Sequence, residues 1–221
     1  MKVLLTGANG FLGRHVLHSL RQHGIDTVLL GRQPPADRQG TAWIAADLLA
    51  SPDWDALMDQ AQATHLLHLA WYTEHGQYWA SPLNLRWVDA SVQLTQAFCQ
   101  AGGQQVVVAG TCAEYDWSHG YCREESTPLR PTTLYGVAKD ATRRLVMAVC
   151  QQHHATCAWG RIVMPIGAGE PAQRIIPSVV AALRGQRAFF GINAAAYRDV
   201  LHVSDAAEGL VALLQPGAQG A

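Results

Sequence analysis

Residues 2–13, KVLLTGANGFLG, have a pattern that predicts the fold of this chain. A short apolar run typical of a strand comes first, three glycines follow, and an amphipathic helical pattern begins after the second glycine. Glycines at this spacing permit a tight turn, a close approach of the backbone to a pyrophosphate, and close packing of helix on strand. They are Gly7, Gly10 and Gly13. Because a helix N-terminus offers free N–H groups and a positive dipole to phosphate, the stretch predicts a dinucleotide-binding α/β fold.

The chain up to residue 164 alternates apolar strands with helical segments. We expect strands at 2–6, 26–30, 41–45, 65–70, 105–110 and 156–163, and helices at 11–24, 53–63, 83–102 and 135–152. Apolar strands separated by helices imply a parallel sheet covered on both faces. We therefore predict a doubly wound parallel sheet, a Rossmann fold, over 1–164, including the candidate catalytic residues. Residues 165–221 are expected to form a small, apparently incomplete substrate-binding part that is interleaved with the first and is not an independent domain.

The composition limits the kind of partner. Sixteen Lys and Arg against seventeen Asp and Glu, with no long run of either sign, give no electrostatic footprint for nucleic acid or an anionic membrane. Five scattered cysteines, an odd number, argue against a disulfide framework and fit a reducing cytosol. We find neither a secretory leader nor a membrane-spanning run in the sequence. We expect a cytoplasmic protein with a small-molecule partner, and no binding to nucleic acid or membrane.

Residues 150–157, CQQHHATC, have a cysteine and histidine spacing that resembles a zinc site. The run straddles the end of an expected helix and the start of an expected strand, and the chain offers no second ligand pair at zinc-finger spacing. Histidines beside the last carbonyls of a helix are the preferred explanation. We therefore predict no metal site.

Residues 133–139, TLYGVAK, hold a tyrosine and a lysine four positions apart. Such residues lie about 40° apart around a helix, so Tyr135 and Lys139 would reach the same side. The same spacing occurs on many solvated helix faces and does not by itself indicate chemistry. A catalytic role for Tyr135 and Lys139 therefore needs support from motifs elsewhere in the chain.

The end of the second expected strand bears on the choice of cofactor. Dinucleotide-binding folds usually place an acidic residue there to hold the ribose hydroxyls, whereas this chain has Gly31 followed by Arg32. Without a carboxylate to repel it, a 2′-phosphate can pair with the arginine, which favours NADP over NAD. An ordinary loop cation at Arg32, with NAD as the cofactor, is the alternative.

Five motifs follow one another along the chain. They are TGxxGxxG from Thr6, HLA at 68–70, a hydroxyl residue at Thr111, YxxxK from Tyr135, and RDVLHVSDAAEGL at 198–210. With these motifs in this order, the chain resembles the extended short-chain dehydrogenase/reductase family, the NAD-dependent epimerase/dehydratase group that acts on nucleotide sugars. The resemblance extends from residue 1 to about residue 214.

The resemblance implies that Thr111, Tyr135 and Lys139 are catalytic. Thr111 would hydrogen-bond the substrate oxygen that gains or loses a proton, and Tyr135 would be the general acid or base. Because an unperturbed phenol has a pKa of about 10, the charge of Lys139 is expected to favour the phenolate. In the family, this lysine also holds the nicotinamide ribose.

The resemblance also implies which residues hold the cofactor and the substrate. Asp47 matches the aspartate that the family places beside the adenine, and a role as an ordinary acid at a helix N-terminus is an equal alternative. Arg198, and with it Arg174, would hold the diphosphate of a sugar nucleotide, although Met164 replaces an asparagine that the family often has for this diphosphate. The cofactor would lie against Gly7, Asn9, Gly10, Phe11, Leu12, Gly13, Arg32, Asp47, Leu48, Leu69, Ala70, Tyr135 and Lys139.

The residues after Thr111 bear on the reaction. Dehydratases of the family carry an Asp-Glu pair there, which Cys112 and Ala113 replace, so dehydration is disfavoured. The segments 110–117 and 123–136 look like those of deoxysugar reductases. The resemblance therefore implies an NADP-dependent oxidoreductase that reduces the 4-keto group of a nucleotide-linked 6-deoxyhexose. The alternatives are a nucleotide-sugar 4-epimerase with bound NAD and a non-catalytic NADP-sensing regulator. Relatives pack the third and fourth helices into a four-helix bundle, which implies a homodimer.

Overall fold

The computed structural model describes residues 1–193, 195 and 197–221. Its strands are β1 (Lys2–Thr6), β2 (Asp26–Gly31), β3 (Ala42–Ala45), β4 (His65–His68), β5 (Gln105–Thr111), β6 (Thr156–Ile162), β7 (Met164–Ile166) and β8 (Val200–His202). Its helices are α1 (Phe11–Gln22), α2 (Trp54–Ala61), α3 (Leu83–Gln100), α4 (Leu134–Gln152), α5 (Ile175–Leu183) and α6 (Val203–Ala212). Short 3₁₀ helices cover Leu48–Ala50, Cys112–Glu114 and Trp117–His119. In the described part of the chain, no helix combines the length and the apolar character that crossing a membrane requires.

Six parallel strands form the main sheet in the order β3-β2-β1-β4-β5-β6. The strand order reverses between β1 and β4, which pair directly with Val3 opposite His65. Helices connect the strands and cover both faces of the sheet, so the predicted doubly wound Rossmann fold is confirmed. In such a sheet the ligand crevice lies beyond the carboxyl ends of the strands at the reversal, which here are Thr6 and His68.

Alternate residues of the strands supply two cores, one on each face of the sheet. On one face, Leu4 and Leu66 pack with side chains of α2, α3 and α4, among them the fully buried Phe98. On the other face, Leu5 and Leu67 pack with side chains of α1 and α6. Because both faces are covered, the strands are apolar throughout and do not alternate with polar residues.

The chain after residue 164 divides between two places. β7 and β8 form a separate two-stranded parallel sheet. α6 instead returns to the main sheet, where it shares a core with α1 through Ala207, Leu210 and Val211, joined by Leu214 just after the helix. Further on, Gly220 forms a bridge with Ala158 of β6. The division of roles at residue 164 stays a prediction, but α6 belongs structurally to the layer of α1.

Candidate active site

The turn between β1 and α1 has close contacts that only glycine permits. Gly7 has a φ of +76°, and a Cβ there would lie 2.7 Å from the backbone nitrogen of Ala70. A Cβ on Gly13 would overlap the carbonyl oxygen of Gly7. Gly10 is the N-cap of α1 and makes no side-chain capping hydrogen bond. The turn is therefore a cradle in which the N–H groups that begin α1 can approach a phosphate.

A buried histidine joins the ends of β1 and β4. His68 is 2% exposed, with Nδ1 2.7 Å from Thr6 Oγ1 and Nε2 2.9 Å from Ser91 Oγ. Thr6 Oγ1 already accepts hydrogen bonds from the N–H groups of Leu69 and Ala70, so its own hydrogen is the one directed to Nδ1. Nδ1 is therefore an acceptor, and Nε2–H donates to Ser91. This network fixes the glycine turn against the segment that follows β4.

The residues expected near the adenosine lie around the ends of β2 and β3. Asn9 Nδ2 donates to the carbonyl oxygen of Gln33 over 2.8 Å, which ties the glycine turn to the segment after β2. Arg32, in that segment, is exposed. Asp47 caps a 3₁₀ helix by accepting from the N–H of Leu49 at 3.0 Å, the alternative role considered for it. Contact of these residues with a cofactor stays a prediction, as it does for Phe11 and Leu12 in the first turn of α1, Leu48 after Asp47, and Leu69 and Ala70 after β4.

The structure brings the three expected catalytic residues together at the carboxyl end of β5. Thr111 is the last residue of β5, and Tyr135 lies in the first turn of α4. That turn is fixed by Thr133, whose hydroxyl accepts from the N–H of Gly136 at 3.1 Å. The Thr111 side chain lies close enough to Tyr135 to lower the pKa of its phenol. Lys139 lies one turn further along α4 and is 4% exposed.

The Lys139 ammonium is enclosed on several sides. Nζ donates to the carbonyl oxygen of Ala109 over 2.8 Å and lies 4.1 Å from the centroid of the Trp71 ring. Burial lowers the pKa of Lys139 to about 8, and the negative charge of Glu114 opposes this change. Burial, followed by the charge of Lys139, lowers the pKa of His68 to about 3. His68 is therefore neutral at physiological pH.

Burial raises the pKa of the Tyr135 phenol, and the nearby side chain of Thr111 only partly opposes the change. This is opposite to the direction that the sequence predicts from the charge of Lys139. The reason is that the desolvation of the enclosed phenol outweighs the other contributions. Tyr135 is therefore protonated at neutral pH, which is the form that can donate a proton.

Aromatic side chains surround the Tyr135 ring, a feature that the sequence analysis missed. The ring centroids of Tyr78, Trp79 and Trp71 lie 4.8, 5.7 and 6.5 Å from that of Tyr135, each in an edge-to-face arrangement. The segment that carries them is held in place because the N–H of Tyr135 donates to the carbonyl oxygen of Trp79 over 3.1 Å. Trp71 Nε1 also donates to Asn84 Oδ1 over 2.8 Å. In the sequence, the only indication of this enclosure is the four aromatic residues at 71–79, which come directly after HLA.

A buried carboxylate lies behind Thr111, and the sequence analysis missed it as well. Glu114 is 0% exposed and accepts hydrogen bonds from the N–H of Thr111 at 2.8 Å and from Arg161 Nε at 2.9 Å. Trp159 Nε1 donates to both carboxylate oxygens, at 3.0 and 3.1 Å. The available signal was the T-x-x-E spacing of Thr111 and Glu114, which forms a capping box.

The two arginines expected to hold a substrate diphosphate lie in different surroundings. Arg174 is the N-cap residue of α5 and pairs with Glu170 at 3.2 Å. Its guanidinium lies 5.8 Å from the centroid of the Phe11 ring, at the edge of the glycine turn. Arg198 is exposed and donates to the carbonyl oxygen of Tyr197 over 2.8 Å. Their contacts with a substrate stay predictions.

The CQQHHATC run forms the end of α4 and the start of β6. Cys150 and Cys157 are buried, and His153 is the C-cap residue of α4. Within residues 1–193, 195 and 197–221, no group of three or more His, Cys, Asp and Glu side chains is arranged to hold a metal ion.

The fold and the site together define a class of protein. A doubly wound sheet with a glycine turn at β1, and a tyrosine and lysine one helical turn apart at the end of β5, indicate a dinucleotide-binding protein of the short-chain dehydrogenase/reductase class. Residues 3–221 match the model of the NAD dependent epimerase/dehydratase family. The chain belongs to this family, and the resemblance seen in the sequence is confirmed.

Three known proteins illustrate what the chain is similar to. A dTDP-6-deoxy-L-talose 4-dehydrogenase (NAD(+)) of Aggregatibacter actinomycetemcomitans is 29% identical, with 65% of this chain and 53% of that protein aligned. A UDP-glucose 4-epimerase of Azospirillum brasilense is 27% identical, with 96% of this chain and 68% of that protein aligned. The structure of MoeE5 in complex with UDP-glucose and NAD superposes with a TM-score of 0.81 at 28% identity, covering 100% of this chain and 74% of the other. The matched region is thus about half of the dehydrogenase and about three quarters of MoeE5.

Proposed function

We propose that this protein is an NADPH-dependent oxidoreductase that reduces the 4-keto group of a nucleotide-linked 6-deoxyhexose. The observation that carries the proposal is the pair of hydroxyls at the end of β5, Thr111 and the buried, protonated Tyr135. Two adjacent donors suit the negative charge that develops on a carbonyl oxygen as it accepts a hydride. The names of two relatives, a 6-deoxy-talose 4-dehydrogenase and a glucose 4-epimerase, support chemistry at C4 of a nucleotide sugar.

The glycine turn fits a dinucleotide cofactor. A Cβ on Gly7 or Gly13 would collide with backbone, so the turn keeps the close packing that brings the start of α1 to a pyrophosphate. Phe11 and Leu12 supply the first N–H groups of that helix, and Lys139 would hold the nicotinamide ribose. When bound, the reduced nicotinamide supplies the hydride.

We propose NADP as the cofactor because of Arg32. This residue is exposed at the end of β2, where Gly31 leaves no carboxylate. A 2′-phosphate would therefore meet a positive charge there, and a guanidinium binds phosphate through two parallel hydrogen bonds. NAD is the alternative, which the complex of MoeE5 with NAD supports.

The proton in the reduction would come from Tyr135. As the C4 carbon gains the hydride, the C4 oxygen takes the phenol proton and becomes the hydroxyl of the product. Thr111 would donate a hydrogen bond to the same oxygen. The phenolate left on Tyr135 would be stabilised by the Lys139 ammonium, which is charged below a pH of about 8, and would regain its proton from solvent.

The residues that follow Thr111 do not suit elimination of water. Cys112 and Ala113 provide no carboxyl group, and burial raises the pKa of the Cys112 thiol, so that it is a poor base at neutral pH. Reduction of a ketone needs no second acid and base beside Tyr135. The side chains at the end of β5 thus favour reduction over dehydration.

We also propose that Arg174 and Arg198 hold the substrate diphosphate, and that the protein works in the cytoplasm as a homodimer. Arg174 supports the first point because it lies at the edge of the glycine turn, where an anionic substrate beside the cofactor would need a compensating charge. The proposed partner is therefore a small-molecule substrate, a nucleotide sugar.

A nucleotide-sugar 4-epimerase with tightly bound NAD is the second candidate, and the similarity to UDP-glucose 4-epimerases is the observation that favours it. It would use the same three residues, Thr111, Tyr135 and Lys139. A non-catalytic NADP-sensing regulator would need the glycine turn but not the buried pair of hydroxyls.

The test is to supply dTDP- or CDP-4-keto-6-deoxyglucose with NADPH and to follow the absorbance of NADPH. We expect one NADPH to be consumed per sugar. If no NADPH is oxidised but UDP-glucose is converted to UDP-galactose with catalytic NAD, the epimerase replaces the reductase. If NADP binds and neither reaction occurs, the regulator is the better account.

A further inference from the structure

Glu114 is buried beside the proposed catalytic residues, and the proposed chemistry gives it no part. Its carboxylate is held by Thr111, Arg161 and Trp159, and the ion pair with Arg161 is almost fully enclosed, with the two side chains 0% and 8% exposed. A buried carboxylate is costly to desolvate and is kept only where several donors satisfy it. Its position therefore needs a reason beyond the stability of the fold.

Glu114 and the second buried cation of this region, the Lys139 ammonium, both lie close to the indole of Trp159. Trp159 Nε1 donates to the carboxylate, and the Lys139 ammonium lies 6.0 Å from the centroid of the same ring. The charge of Lys139 also acts on His68 of β4, and Tyr135 lies one turn before Lys139 on α4, but both of these groups are neutral at physiological pH. Glu114 is therefore the anion that acts on the Lys139 ammonium.

The carboxylate also fixes the backbone of β5 next to the reacting hydroxyl. The N–H of Thr111 donates to Glu114 Oε1 over 2.8 Å, and the Thr111 side chain in turn accepts from the N–H of Ala113 at 3.2 Å. Gly110 lies so close that a Cβ there would be 2.9 Å from Glu114 Oε1. A change in the carboxylate would therefore directly affect the position of Thr111.

We propose that Glu114 is a positioning residue of the active site: it fixes Thr111 through its backbone N–H and supplies the negative charge that faces the buried Lys139 ammonium. The proposal rests on the proposed function only in treating Thr111 and Lys139 as catalytic. Glu114→Gln separates the two roles, because the amide oxygen can still accept from the Thr111 N–H while the charge is lost.

The chain offers a direct measurement of the charge on Lys139, because Lys2 and Lys139 are its only lysines. In protein labelled with ¹³C at lysine Cε, the NMR signal of Lys139 is followed against pH, with Lys2 as the internal reference and Lys139→Met for assignment. We expect Glu114→Gln to lower the titration midpoint of Lys139, because the neutral side chain no longer opposes desolvation.

The matched control is Asp140→Asn. Asp140 is adjacent to Lys139 in sequence but pairs with Arg143 and Arg144, at 2.8 and 2.9 Å. We expect its loss to leave the Lys139 midpoint unchanged. An unchanged midpoint in Glu114→Gln, or an equal shift in Asp140→Asn, would overturn the proposal. These signals do not depend on turnover, so the proposed function can fail while this proposal holds.

If Glu114→Gln alone does not fold because Arg161 loses its partner, the double variant Glu114→Gln/Arg161→Met is compared with Arg161→Met. The Lys139 midpoint must again be lower in the protein that lacks the carboxylate.

In turnover, we expect Glu114→Gln to lower kcat by about tenfold with little change in KM, and to move the alkaline limb of the pH profile to lower pH. An unchanged alkaline limb would contradict a link between Glu114 and Lys139.

Discussion

The raised pKa of Tyr135 arises from side chains that are distant in sequence. Tyr78 and Trp79 approach its ring from the segment before α3, and the resulting burial raises the pKa of the phenol. A phenol with a raised pKa is a weak base in the free enzyme but retains the proton that a reduced carbonyl has to receive. In the proposed reduction, Tyr135 therefore begins as an acid.

Tyr135→Phe tests this role directly. We expect turnover to fall by about 10²–10⁴-fold, the usual contribution of a positioned proton donor, while NADP(H) binding stays nearly unchanged. Turnover is measured by NADPH oxidation, and binding by fluorescence titration. The matched control is Tyr121→Phe, which removes the hydroxyl of an exposed tyrosine and should leave both quantities at wild-type values. Wild-type turnover in Tyr135→Phe would exclude the assignment.

Arg32→Ala tests the choice of cofactor. Only NADPH carries the 2′-phosphate, so its dissociation constant should rise more than that of NADH, by a difference of about 1.5–3 kcal/mol for a charge-assisted hydrogen-bonded pair. Arg38→Ala, a change of another arginine in the same loop, serves as the control and should affect both cofactors little. Equal weakening of NADPH and NADH in Arg32→Ala would show that Arg32 does not read the phosphate.

His68 makes stability depend on pH. Its pKa is about 3 in the folded protein, whereas an unfolded histidine titrates near pH 6.5, so on acidification the unfolded chain takes up the proton first. Stability should therefore fall as the pH drops below about 6.5, by about 2 kcal/mol at pH 5 from this residue. Urea unfolding of His68→Asn should show a correspondingly smaller dependence on pH. The control His75→Asn, at an exposed position, should keep the wild-type dependence, and an identical slope in His68→Asn would refute the prediction.

The glycine turn is the element on which the cofactor site depends. In Gly13→Ala the new Cβ would overlap the carbonyl oxygen of Gly7, and neither backbone can move without separating α1 from β1. We expect a loss of about 1–3 kcal/mol in the free energy of unfolding together with the loss of dinucleotide binding. Gly209→Ala is the control, because it lies in α6 with open space around it and should gain about 0.5–1 kcal/mol. Intact NADP binding in Gly13→Ala would contradict the assigned cradle.

The elements up to residue 164 could be predicted from the sequence, but several contacts between them could not. Strands buried on both faces are apolar throughout, and the glycine turn fixes their direction, so the expected ends lie within two residues of the observed ones. The aromatic segment that encloses Tyr135 and the pairing of Glu114 with Arg161 depend on long-range packing. Local pattern contains no information on such contacts. The sequence could therefore name Thr111, Tyr135 and Lys139 as candidates, but it did not predict the direction of the Tyr135 pKa.

The assembly of the whole molecule is predicted to be a dimer through α3 and α4. Leu85, Val137 and Leu145 are 60%, 48% and 47% exposed on these helices, and the two α4 residues lie within one broad stripe because they are eight positions apart. We expect light scattering at micromolar concentration to report a dimer, and Leu145→Asp to convert it to a monomer. Leu183→Asp, at a 76% exposed position on α5, should leave the dimer intact. A monomeric wild-type protein would refute the prediction.

Delivery of a hydride to the C4 carbonyl of a nucleotide-linked 6-deoxyhexose leaves a label that can be located. We propose to incubate the protein with dTDP-4-keto-6-deoxyglucose and NADPH that carries deuterium at the transferred position, and to locate the deuterium in the product by NMR. We expect one deuterium at C4 of a 6-deoxyhexose for each NADPH consumed. If the product carries no deuterium at C4, or if no NADPH is consumed, the proposed reduction is wrong.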